Sequence, residues 1–116
     1  MSEKLQTVIE VPEYLKQVGL LIDKKSQASF INHIAKFPMD GDLISGTGGA
    51  RKTRWQGAKH KGKSGGIRII YFYHDRSIPI FLLTAYGKGD RTNLSQKEKN
   101  ELRKILRRMV QVYKEE

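Results

Sequence analysis

Residues 67–86 read Ile67-Arg68-Ile69-Ile70-Tyr71-Phe72-Tyr73-His74-Asp75-Arg76-Ser77-Ile78-Pro79-Ile80-Phe81-Leu82-Leu83-Thr84-Ala85-Tyr86. Two near-continuous β-branched and aromatic runs, residues 67–73 and 78–86, flank the polar tetrad His74-Asp75-Arg76-Ser77. Runs of this length and composition, bounded by turn residues, predict adjacent strands of an antiparallel hairpin. Their apolar density predicts burial on much of both faces. One residue breaks the pattern. Arg68 opens an otherwise apolar strand, and an unpaired guanidinium is costly to bury, so it must face a cleft, a rim or a carboxylate.

Outward from the hairpin, residues 51–55 read as a further strand, joined to it by the Gly/Lys-rich residues 56–66 as a long loop. Residues 38–49 read as loop, ending in Gly46-Thr47-Gly48-Gly49. Before it, Asp23 is a candidate cap for a helix reaching about Phe37, with Phe30, Ile34 and Phe37 at helical spacing beside Ile31 and Ala35. Pro12 can open an earlier helix and Gly19 can close it. Residues 5–11 alternate, with Leu5, Thr7, Ile9 and Val11 on one face, which predicts a first strand. On the C-terminal side, residues 87–90 end the sheet. Ser95 and Glu98 form a capping box for a last helix whose buried stripe would be Leu102, Ile105, Leu106, Met109, Val112 and Tyr113. The predicted order is β-α-α-β-β-β-α, an α+β fold with an antiparallel sheet packed by helices. No internal repeat or linker divides it, and residues 1–116 are expected to form one domain.

The 116 residues suffice for one core, and 38% are apolar. No apolar run approaches the roughly 18 residues needed to span a bilayer, and the first residues lack the apolar stretch of a signal peptide. There is no cysteine. Disulfides and thiolate metal sites are therefore excluded, and a cytoplasmic location is expected. The formal net charge of +10 favours a polyanionic partner. Its distribution says more than its sum. Between Leu43 and His74 there is no acidic residue, yet Arg51, Lys52, Arg54, Lys59, Lys61, Lys63 and Arg68 all fall there.

Familiar catalytic constellations are missing. His33, His60 and His74 have neither ligand spacing nor a neighbouring carboxylate cluster, so no metal is expected, and no cofactor either. Gly46-Thr47-Gly48-Gly49 lacks the Walker spacing to Lys52 and a preceding strand. What remains is cationic and aromatic. On a strand over residues 51–55, Lys52 and Arg54 project to one face. Lys88 lies just beyond the last strand, near Tyr86. If the strands are neighbours, these groups and Arg68 converge at one end of the sheet, flanked by Lys59, Lys61 and Lys63. In the other reading each cation stands alone with a local partner. A converged cluster suits RNA cleavage, because RNA carries its own nucleophile in the 2′-OH. The protein need only move protons and stabilise a more negative phosphorane. Arg meets phosphate bidentately, and a Lys crowded by cations can have its pKa lowered enough to act as a base. The last helix is basic too, at Arg103, Lys104, Arg107 and Arg108. That is either a solvated face or a landing site for ribosomal RNA or an acidic protein segment.

The stretches Gly46-Thr47-Gly48-Gly49-Ala50-Arg51-Lys52-Thr53-Arg54-Trp55 and Lys61-Gly62-Lys63-Ser64-Gly65-Gly66-Ile67-Arg68-Ile69-Ile70-Tyr71 resemble toxins of the RelE superfamily. The likeness is nearest to a HigB-type subgroup of bacterial type II toxin–antitoxin systems. Leu82-Leu83-Thr84-Ala85-Tyr86-Gly87-Lys88 and Asn93-Leu94-Ser95 fit as well. The resemblance implies ribosome-associated cleavage of mRNA and neutralisation by a cognate antitoxin. It also implies catalytic roles for Arg68, Arg54, Lys88 and Lys52, with Arg51, Lys59, Lys61, Lys63 and Tyr86 as candidate RNA contacts. Two departures stand out. Gly89 occupies the place of an arginine in RelE, and Tyr113 is not equated with RelE's C-terminal catalytic tyrosine. The alternatives are a ParE-like toxin acting on DNA gyrase and a non-catalytic RNA-binding module.

Overall fold

The computed structural model describes residues 4–56, 66–87, 89 and 93–114. Along the chain they form β1 (Val8–Glu10), α1 (Pro12–Leu21), α2 (Lys24–Lys36), β2 (Asp42–Leu43), β3 (Ala50–Trp55), β4 (Ile67–Phe72), β5 (Ile80–Gly87) and α3 (Gln96–Lys114). The fold is α+β, and the β4–β5 hairpin is the centre of one sheet ordered β1-β5-β4-β3-β2. Two features differ from expectation. The short strand β2 arises inside the predicted loop and pairs with β3. The first strand pairs parallel with β5, Val8 opposite Ile80, so the sheet is mixed rather than wholly antiparallel. Alternation reports which face a side chain takes and is silent on strand direction.

Local chemistry explains the shifted boundaries. β5 begins at Ile80 rather than Ile78, because Pro79 has no N–H to give a ladder. Gly19 does not close α1, which continues to Leu21; the Ile22 N–H then bonds back to the Val18 carbonyl. The first strand is three residues, not residues 5–11. Leu5 is exposed, and Gln6 is buried with its amide donating to the Ile78 carbonyl at 2.7 Å. Both predicted helix caps form. The Asp23 carboxylate accepts from the Ser26 N–H at 2.8 Å. The Ser95 hydroxyl accepts from the Glu98 N–H at 3.1 Å, and the Glu98 carboxylate accepts from the Ser95 N–H at 2.8 Å.

Both faces of the sheet are covered. On one, Tyr14 and Val18 of α1 and Phe30 and Ile34 of α2 pack on Ile67, Ile69, Tyr71, Ile80 and Leu82. On the other, Leu106 of α3 packs with Ala50, Ile70, Phe72, Phe81 and Tyr86. The stripe expected on α3 is narrower than its spacing suggested. Leu106 is buried and Leu102 and Met109 are half-buried, but Ile105, Val112 and Tyr113 are exposed, and Val110 packs in their stead. No helix among the described residues is long and apolar enough to cross a membrane.

The far end of this lightly docked helix is pinned to the β4–β5 turn. The Lys114 ammonium lies 2.9 Å from the Asp75 carboxylate and 2.9 Å from the Ser77 hydroxyl. The Ser77 hydroxyl, and after it Lys114, hold the Asp75 carboxyl well below the usual carboxylate range. A depressed carboxylate stabilises the fold above its ordinary pKa and ceases to as pH falls through its folded value. Asp75→Asn is therefore expected to speed amide hydrogen exchange in the last turn of α3 at neutral pH. The difference from wild type should shrink as pH drops below the ordinary value of 3.8. A difference that grows on acidification would refute the pin.

Candidate functional site

The site depends on which way β3 faces, and Trp55 decides that. Its indole packs edge-on against Phe30 at 5.2 Å, and its N–H donates to the Ser26 carbonyl at 3.1 Å. Trp55 thus belongs to the α1–α2 face. Because side chains alternate, Lys52 and Arg54 take the α3 face. Arg51 goes with Trp55, and its guanidinium donates to the Gly41 carbonyl at 2.7 Å and the Met39 carbonyl at 3.3 Å. Of the candidate RNA contacts, Arg51 is therefore held on the opposite face, bracing the loop before β2.

The register then sets groups side by side. Arg54 stands opposite Arg68, and Arg68 opposite Tyr86, so the three form one row across β3, β4 and β5. Lys52, Ile70 and Thr84 form the next row. Arg54 is exposed and Arg68 half-buried. The Arg68 guanidinium reaches toward Gly66, with Nη1 4.0 Å from where a Cβ on that glycine would stand. Tyr86 is buried in the α3-side core. Directly opposed strand residues have Cβ atoms about 4.5–5.5 Å apart, and like charges so placed destabilise a sheet. Two arginines facing each other at a sheet's end are a folding cost that an anion between them would relieve. Lys88, Lys59, Lys61 and Lys63 lie outside the described residues.

Beside the row opens a groove of about 420 Å³. Its floor is Ile70, Leu83 and Thr84, and Leu94, Leu102 and Ile105 stand around it. Glu13, Glu98 and Glu101 also line it, carboxylates unexpected in so basic a protein. The sequence showed Glu98 only as a cap, and nothing local joins it to Glu13 on α1; the meeting exists only in the fold. An anion is disfavoured near these carboxylates and favoured on the Lys52–Arg54 side of Arg68.

Two arginines in register, with a lysine in the adjoining row, are a donor set that can grip a phosphate bidentately and stabilise the added charge of a phosphorane. Comparison with known families adds one finding. A family model described as the RelE toxin of the RelE/RelB toxin–antitoxin system matches residues 17–116.

Proposed function

The chain belongs to the RelE toxin family, and from that premise we propose that it is a ribosome-dependent mRNA endonuclease. As a RelE-family protein it is the toxin of a toxin–antitoxin system, with a cognate antitoxin as partner. The observation that carries the enzymatic reading is the facing pair Arg54 and Arg68. A protein that merely folds gains nothing from two opposed guanidiniums, whereas a phosphate-handling site does.

In the proposed reaction the mRNA's 2′-OH attacks the adjacent phosphorus. The 2′ proton passes to a base, the P–O5′ bond breaks, and the 5′ oxygen leaves with a proton from an acid. Arg68 and Arg54 hold the non-bridging oxygens as their charge grows, and no step requires a metal. Lys52 and Lys88 are the candidates for proton transfer. Lys59, Lys61 and Lys63 are assigned to RNA contact, whereas Tyr86, buried in the α3-side core, supports Arg68 from within the sheet rather than touching RNA. Residues 1–116 would act as one domain in the cytoplasm, where translating ribosomes are found. Within the family, the resemblance carried by residues 46–71 favours the HigB-type subgroup.

The test is induced expression in a bacterial host with primer extension on an abundant mRNA. Growth arrest accompanied by new mRNA 5′ ends is expected. Arrest without new ends would replace this reading with a ParE-like attack on gyrase, and no arrest would favour a binding module.

A further inference from the structure

α3 separates its charges by side. At 3.6 residues per turn, Arg103, Arg107, Lys104, Lys97 and Arg108 fall on one continuous arc, with Gln96, Asn100, Gln111 and the Asp75-bound Lys114 between them. Glu98 and Glu101 fall on the flank that lines the groove. All five cations are exposed. Arg103 is tied to the glycine loop, its guanidinium donating to the Gly46 carbonyl at 3.1 Å. Lys97, Lys104, Arg107 and Arg108 have no ion pair with any described residue. Moreover, Arg103/Arg107 and Lys104/Arg108 are like-charged i,i+4 pairs, which destabilise a helix. This cost, like that of the facing arginines, is relieved by a polyanion.

The arc also has a direction. Arg103 and Lys99 pack against Gly48 and Gly46, the loop leading into β3 with Lys52 and Arg54. The glycine loop thus links the α3 arc to the start of β3, on which Lys52 and then Arg54 follow. The face carries no apolar anchor. Protein interfaces are depleted in Lys and built around aromatic or aliphatic anchors, whereas nucleic-acid interfaces are polar and strongly positive.

We propose that this face of α3 is a docking surface for the phosphate backbone of structured RNA, distinct from the row that cleaves. In the ribosomal reading on which this rests, it would hold the protein on ribosomal RNA while Arg54 and Arg68 engage the mRNA. Because it reads charge alone, its contribution is sequence-independent and salt-sensitive.

The test compares wild type with K97Q/K104Q/R107Q/R108Q, in which Gln preserves helix propensity. A second variant, N100D/Q111E, places negative charge on the same arc without removing a cation. Circular dichroism melts confirm folding of each. Binding to purified 70S ribosomes and to a 16-base-pair RNA duplex (about the span of a duplex-binding domain) is measured against KCl concentration. Cleavage is measured on ribosomes at saturation. For the quadruple variant, affinity for both probes is expected to fall roughly 100-fold at low salt. The log–log salt slope should drop by about 3, as for four lost phosphate contacts. The rate at saturating ribosome should be unchanged. N100D/Q111E should shift affinity the same way. Unchanged affinity and slope in both folded variants would overturn the proposal, as would a lost rate at saturation, which would place these residues in the chemistry. A polyglutamate peptide that displaces the duplex as well as RNA of equal charge does would make the face a protein-docking surface and overturn it too. Binding of wild type to the duplex but not to ribosomes, weakened in both variants, would support the surface and overturn the ribosomal reading alone.

Discussion

Arg68→Ala is expected to lower mRNA cleavage by roughly 10²–10³-fold, the loss typical of removing one donor that stabilises a developing oxyanion. Stability should stay within about 1 kcal/mol of wild type, since the truncation also relieves repulsion across the facing pair. The two effects have one origin. Arg68 sits half-buried opposite Arg54 at the edge of the α3-side core, where a second guanidinium adds nothing to packing. Arg68→Lys should recover only part of the rate, because a point charge cannot supply the planar fork. Primer-extension yield per ribosome and urea denaturation of the same preparations check both halves. Full cleavage by Arg68→Ala would remove this residue from the site, and unfolding would make its role structural.

The second large effect concerns Tyr71. Its hydroxyl, buried beneath the loop before β2, donates to the Pro38 carbonyl at 2.8 Å and accepts from the Gly41 N–H at 2.8 Å. Gly41 is packed so tightly there that a Cβ would lie 2.8 Å from the Tyr71 ring and 3.0 Å from the Lys52 carbonyl. Tyr71→Phe leaves two buried backbone groups unpaired, at about 1–3 kcal/mol each when nothing replaces the bond. A loss of about 2–4 kcal/mol is expected, enough to lower Tm by about 10 °C in a chain of this size. Tyr14→Phe provides the contrast. The Tyr14 hydroxyl is buried with no hydrogen-bond partner among the described residues, so its removal should be neutral or stabilising. Equal losses in the two variants would contradict this account. Alkali supplies an independent check. Burial, the main cause, raises the Tyr71 phenol above its ordinary value of 10. A raised pKa stabilises the fold below the unfolded value and less as pH rises through the folded one. The gap between wild type and Tyr71→Phe should therefore narrow above about pH 10.

Much of this was legible in the chain itself. The hairpin over residues 67–86, the Asp23 cap and the Ser95–Glu98 box announce themselves because each rests on neighbours a few residues apart. Alternation alone put Lys52 and Arg54 on one face. The same locality misread Gly19, whose freedom to end a helix went unused because Val18 before it and Ile22 beyond it are both buried against the sheet. It also overstated the α3 stripe. Helical spacing marks candidates for burial without showing how wide a surface the sheet offers them.

Composition and local periodicity thus determined the element types, the sign of the chain's charge and the cationic candidates, since each follows from contacts or charges that need no distant partner. Register and strand direction were settled only in the folded chain. Whether Arg54 faces Arg68, whether Arg51 joins them, and whether Glu13 meets Glu98 and Glu101 depend on pairings between distant residues. Those pairings are fixed by burial of side chains such as Trp55 and Tyr71 against the helices, and no window along the sequence contains both partners.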